Sequence, residues 1–179
     1  MMEWNAAVIT VSDKGSQGLR EDTSGPALCS LLEENGYHVV YTSIVPDDSK
    51  KIQSELLHCA DKLKVCLVLT TGGTGFSKRD VTPEATELVL ERRTPGIPEA
   101  MRAESMRITP MGCLSRETAG IRGDSLIINL PGSKKASVEN LTAVLPAIHH
   151  GIETLYGISK DCAQIHEHDH HHSKEGCHG

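Results

Sequence analysis

The feature that most constrains the fold is a regular alternation of short apolar runs with longer amphipathic segments. Residues 6–11, 65–69 and 125–130 are almost continuously apolar, and residues 37–45 are rich in β-forming side chains. Continuous rather than alternating apolarity is typical of parallel strands that are buried on both faces. We therefore expect these four segments to be the strands of a mostly parallel sheet.

The segments between the predicted strands carry the spacing and the end signals of helices. Pro26 lies early in one segment and Gly36 closes it, while Thr82 and Pro83 provide an N-cap and a first-turn proline for another. Pro146 is expected to interrupt or kink the last helix. The predicted helices cover residues 24–36, 49–63, a segment that starts at 82, 98–106 and 136–156.

This order predicts a three-layer α/β fold, in which a doubly wound, mostly parallel sheet carries helices on both faces. The 179 residues suit one domain of this kind, which we place at residues 1–160. Residues 161–179 form a separate histidine-rich tail. In such sheets ligands bind outside the carboxyl ends of the strands. The loops that follow the four predicted strands are therefore the first candidates for a functional site.

The composition argues against several classes of function. A formal net charge of −6 and five aromatic residues disfavour broad nucleic-acid binding. The cleanest apolar run is far shorter than the roughly 18 residues of a membrane span, and the first ten residues lack the basic residues of a secretory signal. No two of the six cysteines have Cys-x-x-Cys spacing. We expect buried free thiols, typical of a cytoplasmic protein, at Cys29, Cys59, Cys66 and Cys113.

Two of the loops are rich in glycine and suited to binding an anion. Residues 12–26 are small and polar and lead to a helix start, which suits phosphate capture by backbone N–H groups, although an ordinary flexible loop fits equally well. In residues 70–75 three glycines follow a buried strand, and the helix that begins near Pro83 directs its positive end to the same place. The alternative is a tight structural turn in which Asp80 pairs with Arg79.

Acids and lysines lie in or beside these loops. Asp80 follows the glycines, and Asp47 stays free if Asp48 caps the next helix, so both are suited to hold Mg²⁺. Lys134 and Lys135 lie at a helix start, where they favour an anion unless they are simply solvated.

Two arginines complete the set of candidate phosphate ligands. Arg116 and Arg122 can bind phosphate in a forked geometry, although Arg122, which precedes Gly123, fits a turn as well. Together these features predict a site for a nucleotide or a phosphorylated small molecule, with a divalent metal. They do not define the reaction.

The same loops carry a specific resemblance. The run from Thr71 to Gly75, followed by Arg79-Asp80-Val81-Thr82-Pro83-Glu84-Ala85-Thr86, resembles the signature of the molybdopterin adenylyltransferases. These are the MogA/MoaB-type proteins of molybdenum cofactor biosynthesis, similar to the G domain of gephyrin. The resemblance covers about residues 5–158. Further matching stretches are Val11-Ser12-Asp13, Asp22-x-Ser24-Gly25-Pro26, Val45-Pro46-Asp47, Thr94-Pro95-Gly96, Leu114-Ser115-Arg116, residues 119–123 and residues 126–132.

The resemblance implies a molybdopterin-binding-domain-like fold and a reaction. The enzyme would join the terminal phosphate of molybdopterin to the α-phosphate of ATP in the presence of Mg²⁺ and release pyrophosphate. Asp47 and Asp80 would be the catalytic acids that bind Mg²⁺. The nucleotide phosphates would be surrounded by Thr71, Gly72, Gly73, Thr74 and Gly75. The molybdopterin or nucleotide pocket would be lined by Ser12, Asp13, Ser115, Arg116, Pro131, Gly132, Ser133 and Lys135.

The resemblance also implies partners. These are the small-molecule substrates, further copies of the chain in a homotrimer or hexamer, and a downstream enzyme that inserts molybdate or tungstate. Some relatives lack the acids and are inactive, so the alternative is a carrier that binds molybdopterin without turnover. The presence of both Asp47 and Asp80 favours the enzyme. One loop departs from the family, because it has Gly-Ser-Lys-Lys-Ala where relatives often have Gly-x-Pro.

The tail has no counterpart in the family pattern. Six of the ten histidines fall in the last fourteen residues, interleaved with acids. Imidazole and thiolate suit Zn²⁺, Ni²⁺, Co²⁺ or copper ions, but the spacing matches no defined structural zinc site. We expect a flexible metal-binding tail. The alternatives are a purification tag, a tail ordered by packing or subunit contacts, and a protein whose main task is metal handling. The candidate ligands are His166, His168, His170, His171, His172, Cys177 and His178, and Cys162 begins the same segment.

Overall fold

A computed structural model describes residues 3–158 as a six-stranded sheet between two layers of helices. The strands are β1 (Asn5–Val11), β2 (His38–Val45), β3 (Leu67–Thr71), β4 (Arg92–Arg93), β5 (Ala119–Arg122) and β6 (Ser125–Leu130). The helices are α1 (Asp13–Ser16), α2 (Ser24–Glu34), α3 (Ser49–Leu57, continued by a π-helical turn at His58–Lys62), α4 (Thr82–Glu87), α5 (Gly96–Ile108) and α6 (Lys134–Leu155), with a 3₁₀ turn at Pro110–Leu114.

The strand order in the sheet is β2-β1-β3-β6-β5-β4. The first four strands in this order are parallel neighbours, whereas β5 pairs antiparallel with both β6 and β4. The mostly parallel α/β fold expected from the sequence is therefore confirmed, with helices on both faces. Two strands were not expected from the sequence: β4, which is two residues long, and β5, which is four residues long.

Both faces of the sheet are buried, which explains the continuous apolar runs. In β1, Ala6 and Val8 pack with α2, α5 and α6 on one face, and Ala7 and Ile9 pack with α3 and α4 on the other. All four side chains are at most 1% exposed. The parallel strands are thereby held between two apolar layers, and their carboxyl ends meet at one edge of the sheet.

Most helix ends follow the sequence signals. Asp48 is the N-cap of α3, and its Oδ1 accepts a hydrogen bond from the Lys51 N–H at 2.9 Å. The prediction that Thr82 is an N-cap is wrong, because α4 already begins at Thr82 and Val81 precedes it without a side-chain cap. The last helix, α6, extends through Pro146 as one element of 22 residues. The expected interruption is therefore absent from this helix.

The four cysteines in the described part of the chain are free thiols. Cys59 and Cys66 are buried, as expected, and burial raises the pKa of each to about 12. The expectation of burial is wrong for Cys29, which is half-buried on α2, and for Cys113, which is exposed on the 3₁₀ turn.

Two expectations concern membranes and the tail. Among residues 3–158, no helix combines the length and the apolarity required to cross a membrane. The tail ligands proposed from the sequence lie outside the described residues.

A buried carboxyl group lies where α5 and α6 meet the chain before β5. Glu117 is 3% exposed, and its Oε1 accepts a hydrogen bond from Asn140 Nδ2 at 3.5 Å. Asn140 in turn accepts a hydrogen bond from Ser105 Oγ at 2.8 Å. Burial raises the pKa of Glu117 to about 7. Near neutral pH the folded protein therefore holds a proton on this group that an unfolded chain would release.

We predict that Glu117→Gln stabilises the protein at alkaline pH. Because the folded-state pKa is raised, the unfolded chain loses this proton first, and stability falls between about pH 4.5 and pH 7. Glutamine removes the ionisation and keeps an acceptor for Asn140. The free energy of unfolding at pH 8, measured in urea, should rise by about 3 kcal/mol relative to wild type, with little gain at pH 4. Glu104→Gln, on the partly exposed side of α5, is the matched control. Equal gains at both pH values would contradict the assignment.

Candidate active site

A cavity of about 480 Å³ opens where β1, β2, β3 and β6 end. It collects loops from four different parts of the sequence, as expected for the carboxyl edge of a parallel sheet. Eight of the predicted site residues line it: Ser12, Asp47, Thr71, Gly72, Gly73, Asp80, Gly132 and Ser133.

The floor of the cavity is formed by the glycine loop after β3. Gly72 and Gly73 have φ angles of +105° and +67°, which side chains of L-residues rarely allow. A Cβ on Gly72 would collide with the carbonyl oxygen of Val11, and one on Gly73 would collide with Thr82 Oγ1. The Gly72 N–H donates to Leu130 O at 3.2 Å. The loop is therefore close-packed against the ends of β1 and β6, and its backbone rather than side chains faces the cavity.

Asp47 lies beside this loop in a partly buried position. Its Oδ2 accepts a hydrogen bond from the Asp13 N–H at 2.9 Å, and its own N–H donates to Asp13 Oδ1 at 3.0 Å. Burial raises the pKa of Asp47, and the neighbouring charges of Asp13 and Asp80 add to that effect. The carboxylate is thus held in place by reciprocal bonds in surroundings that favour a bound cation.

Asp80 is oriented by a tight turn of its own loop. Its Oδ2 accepts a hydrogen bond from the Ser77 N–H at 2.9 Å, and its N–H donates to Ser77 O at 3.0 Å. The alternative in which Asp80 pairs with Arg79 is wrong. The Arg79 guanidinium instead forms a forked pair with Asp13, with Nε–Oδ2 and Nη2–Oδ1 distances of 3.0 and 2.8 Å. This pair lowers the pKa of Asp13.

The residues around Asp47 fit a magnesium ion. A Cβ on Gly73 would lie 3.1 Å from Asp47 Oδ1 and would collide with Thr82 Oγ1, so both oxygens lie beside Gly73. Thr82 Oγ1 is buried and has no hydrogen-bond partner within residues 3–158. Mg²⁺ is commonly held by one or two carboxylates together with substrate phosphates and water. Asp47 and Asp80 would supply these carboxylates; residues 3–158 contain no group of three or more acids, histidines or cysteines that could hold a metal.

The first loop is ordered around an acid that the sequence analysis did not assign to the site. Asp22 Oδ1 accepts hydrogen bonds from the N–H groups of Ser24 and Gly25 at 3.1 and 2.9 Å, and Oδ2 accepts one from Thr10 Oγ1 at 2.6 Å. Ser24 Oγ donates a hydrogen bond to Gly132 O at 2.9 Å, which connects the segment after β1 to the loop after β6. The Asp22-x-Ser24-Gly25-Pro26 motif is the sequence feature that could have indicated this role of Asp22. Arg20 and Lys134 also line the cavity.

Several predicted pocket residues lie outside the cavity lining. Asp13 is hydrogen-bonded to Asp47, and Gly75 lies next to the carboxylate of Asp80. The hydroxyl group of Ser115 is buried. The side chain of Lys135 is 80% exposed, with its Nζ 3.9 Å from Glu139 Oε1. The remaining three are also absent from the cavity lining: Thr74 in the glycine loop, Pro131 in the loop after β6, and Arg116 in the chain before β5.

Arg122 is not a phosphate ligand of this site. Its guanidinium pairs with both carboxylate oxygens of Asp61 at 2.8 Å, at the end of β5 that is remote from the cavity. Gly123, with a φ of +53°, forms the turn between β5 and β6. Arg122 itself is the last residue of β5 and directly precedes this turn, so its assignment to the turn is not confirmed either.

Comparisons with known proteins agree with the fold. Residues 7–150 match the family model described as a probable molybdopterin binding domain. Gephyrin from Dictyostelium discoideum is 47% identical over 160 residues, which cover 84% of this chain and 22% of that protein. The molybdopterin adenylyltransferase of Helicobacter pylori strain 26695 is 43% identical over 159 residues, which cover 88% of this chain and 90% of that protein. The crystal structure of the molybdopterin biosynthesis enzyme MoaB from Thermus thermophilus superposes with a TM-score of 0.82 at 44% identity, covering 86% of this chain and 97% of that one.

We predict that Gly72→Ala is far more disruptive than Gly36→Ala. Both glycines have positive φ angles, but a Cβ on Gly36 meets nothing within 4 Å, whereas one on Gly72 meets the backbone of Val11. Gly36→Ala should cost about 1–2 kcal/mol in the free energy of unfolding, and Gly72→Ala about 3 kcal/mol or more. Urea denaturation measures both values. Equal losses would show that the approach of Gly72 to Val11 is not tightly packed.

Proposed function

Because this chain belongs to the molybdopterin-binding family of cofactor biosynthesis proteins, we propose that it is a molybdopterin adenylyltransferase. The observation that carries the proposal is the pair of carboxylates, Asp47 and Asp80, at a cavity whose floor is the glycine loop after β3. Molybdopterin adenylyltransferases of similar length support it.

The proposed reaction is a displacement at phosphorus. An oxygen of the terminal phosphate of molybdopterin attacks the α-phosphorus of ATP. The bond between that phosphorus and the oxygen that bridges the α- and β-phosphates breaks. The products are adenylylated molybdopterin and pyrophosphate. A phosphate monoester is largely dianionic at pH 7, since its second pKa is about 6, so the nucleophile needs no strong base. The protein has mainly to align two anionic groups and reduce their repulsion.

The chain provides several groups for this task. The backbone of Gly72 and Gly73 lets phosphate oxygens approach closely. The N-terminus of α6, where Ser133 Oγ accepts the Ala136 N–H at 3.2 Å, adjoins the cavity, and Lys134 lies in its first turn. Helix N-termini and lysines both attract phosphate. Ser12, Ser133 and Gly132 would contact the nucleotide or the pterin.

Asp47 and Asp80 would hold Mg²⁺ together with oxygens of the substrates. The ion, when bound, would neutralise charge on the reacting phosphates and on the leaving pyrophosphate. The protein's own part is to fix both carboxylates before the substrates arrive, through the Asp13–Asp47 bonds and the Ser77–Asp80 turn.

We also propose that the protein works as a homotrimer, or a pair of trimers, in the cytoplasm and passes its product to an enzyme that inserts the metal. The free thiols support a reducing compartment. At the edge of the sheet, β2 exposes 53% of Val40 and 43% of Ile44, apolar surface that a second subunit could cover. Light scattering on the full chain measures the number of subunits.

We predict that Asp47→Asn and Asp80→Asn each abolish most of the adenylylation. Asparagine keeps the size of the side chain but removes the charge that holds Mg²⁺, so the rate of molybdopterin-dependent pyrophosphate release should fall about 100-fold or more. Asp48→Asn is the matched control, because asparagine caps a helix as well as aspartate does. Its rate should stay close to that of wild type.

The alternatives correspond to other outcomes of that experiment. Tight molybdopterin binding without pyrophosphate release by the wild-type chain would support the inactive carrier. Full activity of both variants would contradict the role of the two acids while leaving the transferase proposal intact. A metal-handling protein without transferase activity would show neither molybdopterin binding nor turnover.

We propose, from the sequence of the tail, that residues 161–179 bind a transition metal independently of the catalytic domain. Six histidines and Cys177 within fourteen residues give a high local concentration of imidazole and thiolate ligands.

Deletion of residues 163–179 should abolish the binding of Zn²⁺ or Ni²⁺ measured by calorimetry and leave the rate of adenylylation unchanged. His38→Gln, which removes an exposed histidine on β2, should leave metal binding intact. Loss of adenylylation on truncation would show that the tail belongs to the catalytic unit.

A further inference from the structure

Arg116 does not line the cavity, yet its side chain binds the loop that carries Asp80 at two points. Its Nε donates to Gly75 O at 2.7 Å and its Nη2 donates to Asp80 O at 2.6 Å. Its backbone N–H donates to Thr74 O at 2.9 Å, and its Nη1 pairs with Glu84 on α4. One side chain therefore binds both ends of the loop between Gly75 and Asp80.

These bonds matter to the loop because it has little packing of its own; a second tie is the exposed Arg79–Asp13 pair at the far side of the loop from Gly75. Residues 76–79 are exposed, and Phe76 is 71% exposed. Inside the loop, Asp80 and Ser77 exchange two hydrogen bonds. The Asp80 carboxylate also lies against Gly75, since a Cβ there would stand 2.9 Å from Asp80 Oδ2. Fixing the carbonyl groups of Gly75 and Asp80 therefore fixes the direction of the carboxylate.

The segment that carries Arg116 is itself anchored to the core of the domain. Arg102 on α5 donates through Nη1 to Glu117 O at 3.0 Å and to Ser115 O at 3.4 Å. The two residues that flank Arg116 are thus tied to a helix that packs on the sheet. The guanidinium group of Arg116 extends this anchor to the exposed loop and to α4.

From this arrangement we propose that Arg116 is a positioning residue, which aims the Asp80 carboxylate at the cavity by binding the carbonyl groups at both ends of its loop. The proposal rests on the proposed role of Asp80 in the reaction. It differs from the role that the family resemblance implies for Arg116, namely a direct contact with molybdopterin or nucleotide. A planar guanidinium can serve two carbonyl groups and a carboxylate at once, whereas the single ammonium group of lysine cannot.

The test is Arg116→Lys, compared with Arg122→Lys as the matched control. Arg122, like Arg116, binds both a carboxylate and a carbonyl group through its guanidinium, but at the opposite end of the sheet. The first measurement is hydrogen exchange of the amides of Ser77 and Asp80 in the substrate-free chain. Exchange should become about tenfold faster in Arg116→Lys, because loss of the charge-assisted bonds eases local opening. It should stay unchanged in Arg122→Lys.

The second measurement is the dependence of pyrophosphate release on Mg²⁺ concentration. In Arg116→Lys the Mg²⁺ concentration for half-maximal rate should rise about tenfold, with kcat reduced at low Mg²⁺ and the KM for molybdopterin unchanged. Unchanged exchange at Ser77 and Asp80 would overturn the proposal, as would an increase confined to the KM of a substrate. If the chain proves inactive as a transferase, the exchange measurement still decides whether Arg116 orders the loop.

Discussion

The site depends on the close approach of one backbone segment to two neighbouring strands. Gly72 lies between the end of β1 and the end of β6, with its N–H bonded to Leu130 O and no room for a side chain on the Val11 side. Gly132, on the loop after β6, comes so near that a Cβ on it would stand 3.3 Å from the Gly72 Cα. Three chain segments thereby approach one another closely through their backbones, and at this point phosphates can approach the peptide groups of the cavity.

Around this backbone floor the acids are arranged by bonds between loops. Asp13 connects two of these loops. Its Oδ1 accepts a hydrogen bond from the Asp47 N–H, and both of its carboxylate oxygens accept hydrogen bonds from the Arg79 guanidinium. Asp47 is thus held by Asp13, which follows β1, and Asp80 by its turn with Ser77 in the loop after β3. Burial raises the pKa of Asp47, the nearby charges of Asp13 and Asp80 add to that effect, and both favour a cation that bridges protein and phosphate.

The sequence predicts the parts of this structure that depend on local pattern. The buried strands follow from continuous apolar runs, and the Asp48 cap follows from an acid before an amphipathic segment. Asp47 could be chosen because it comes just after a strand, and Asp80 because it follows the glycines of the next loop; both match family motifs. The strands β4 and β5 could not be predicted, since they are too short to show a pattern: β5 is defined by pairing with β6, and β4 by pairing with β5. The partners of Arg79 and Arg122 are likewise 66 and 61 residues away along the chain, so only the fold determines them.

The central claim is that the chain joins adenylate to the terminal phosphate of molybdopterin. It is tested most directly by incubating the full chain with ATP, Mg²⁺ and molybdopterin and quantifying both products by mass spectrometry. The account predicts adenylylated molybdopterin and pyrophosphate in equal amounts, with neither formed when molybdopterin is left out. Pyrophosphate without the adduct, or molybdopterin bound and recovered unchanged, would contradict it.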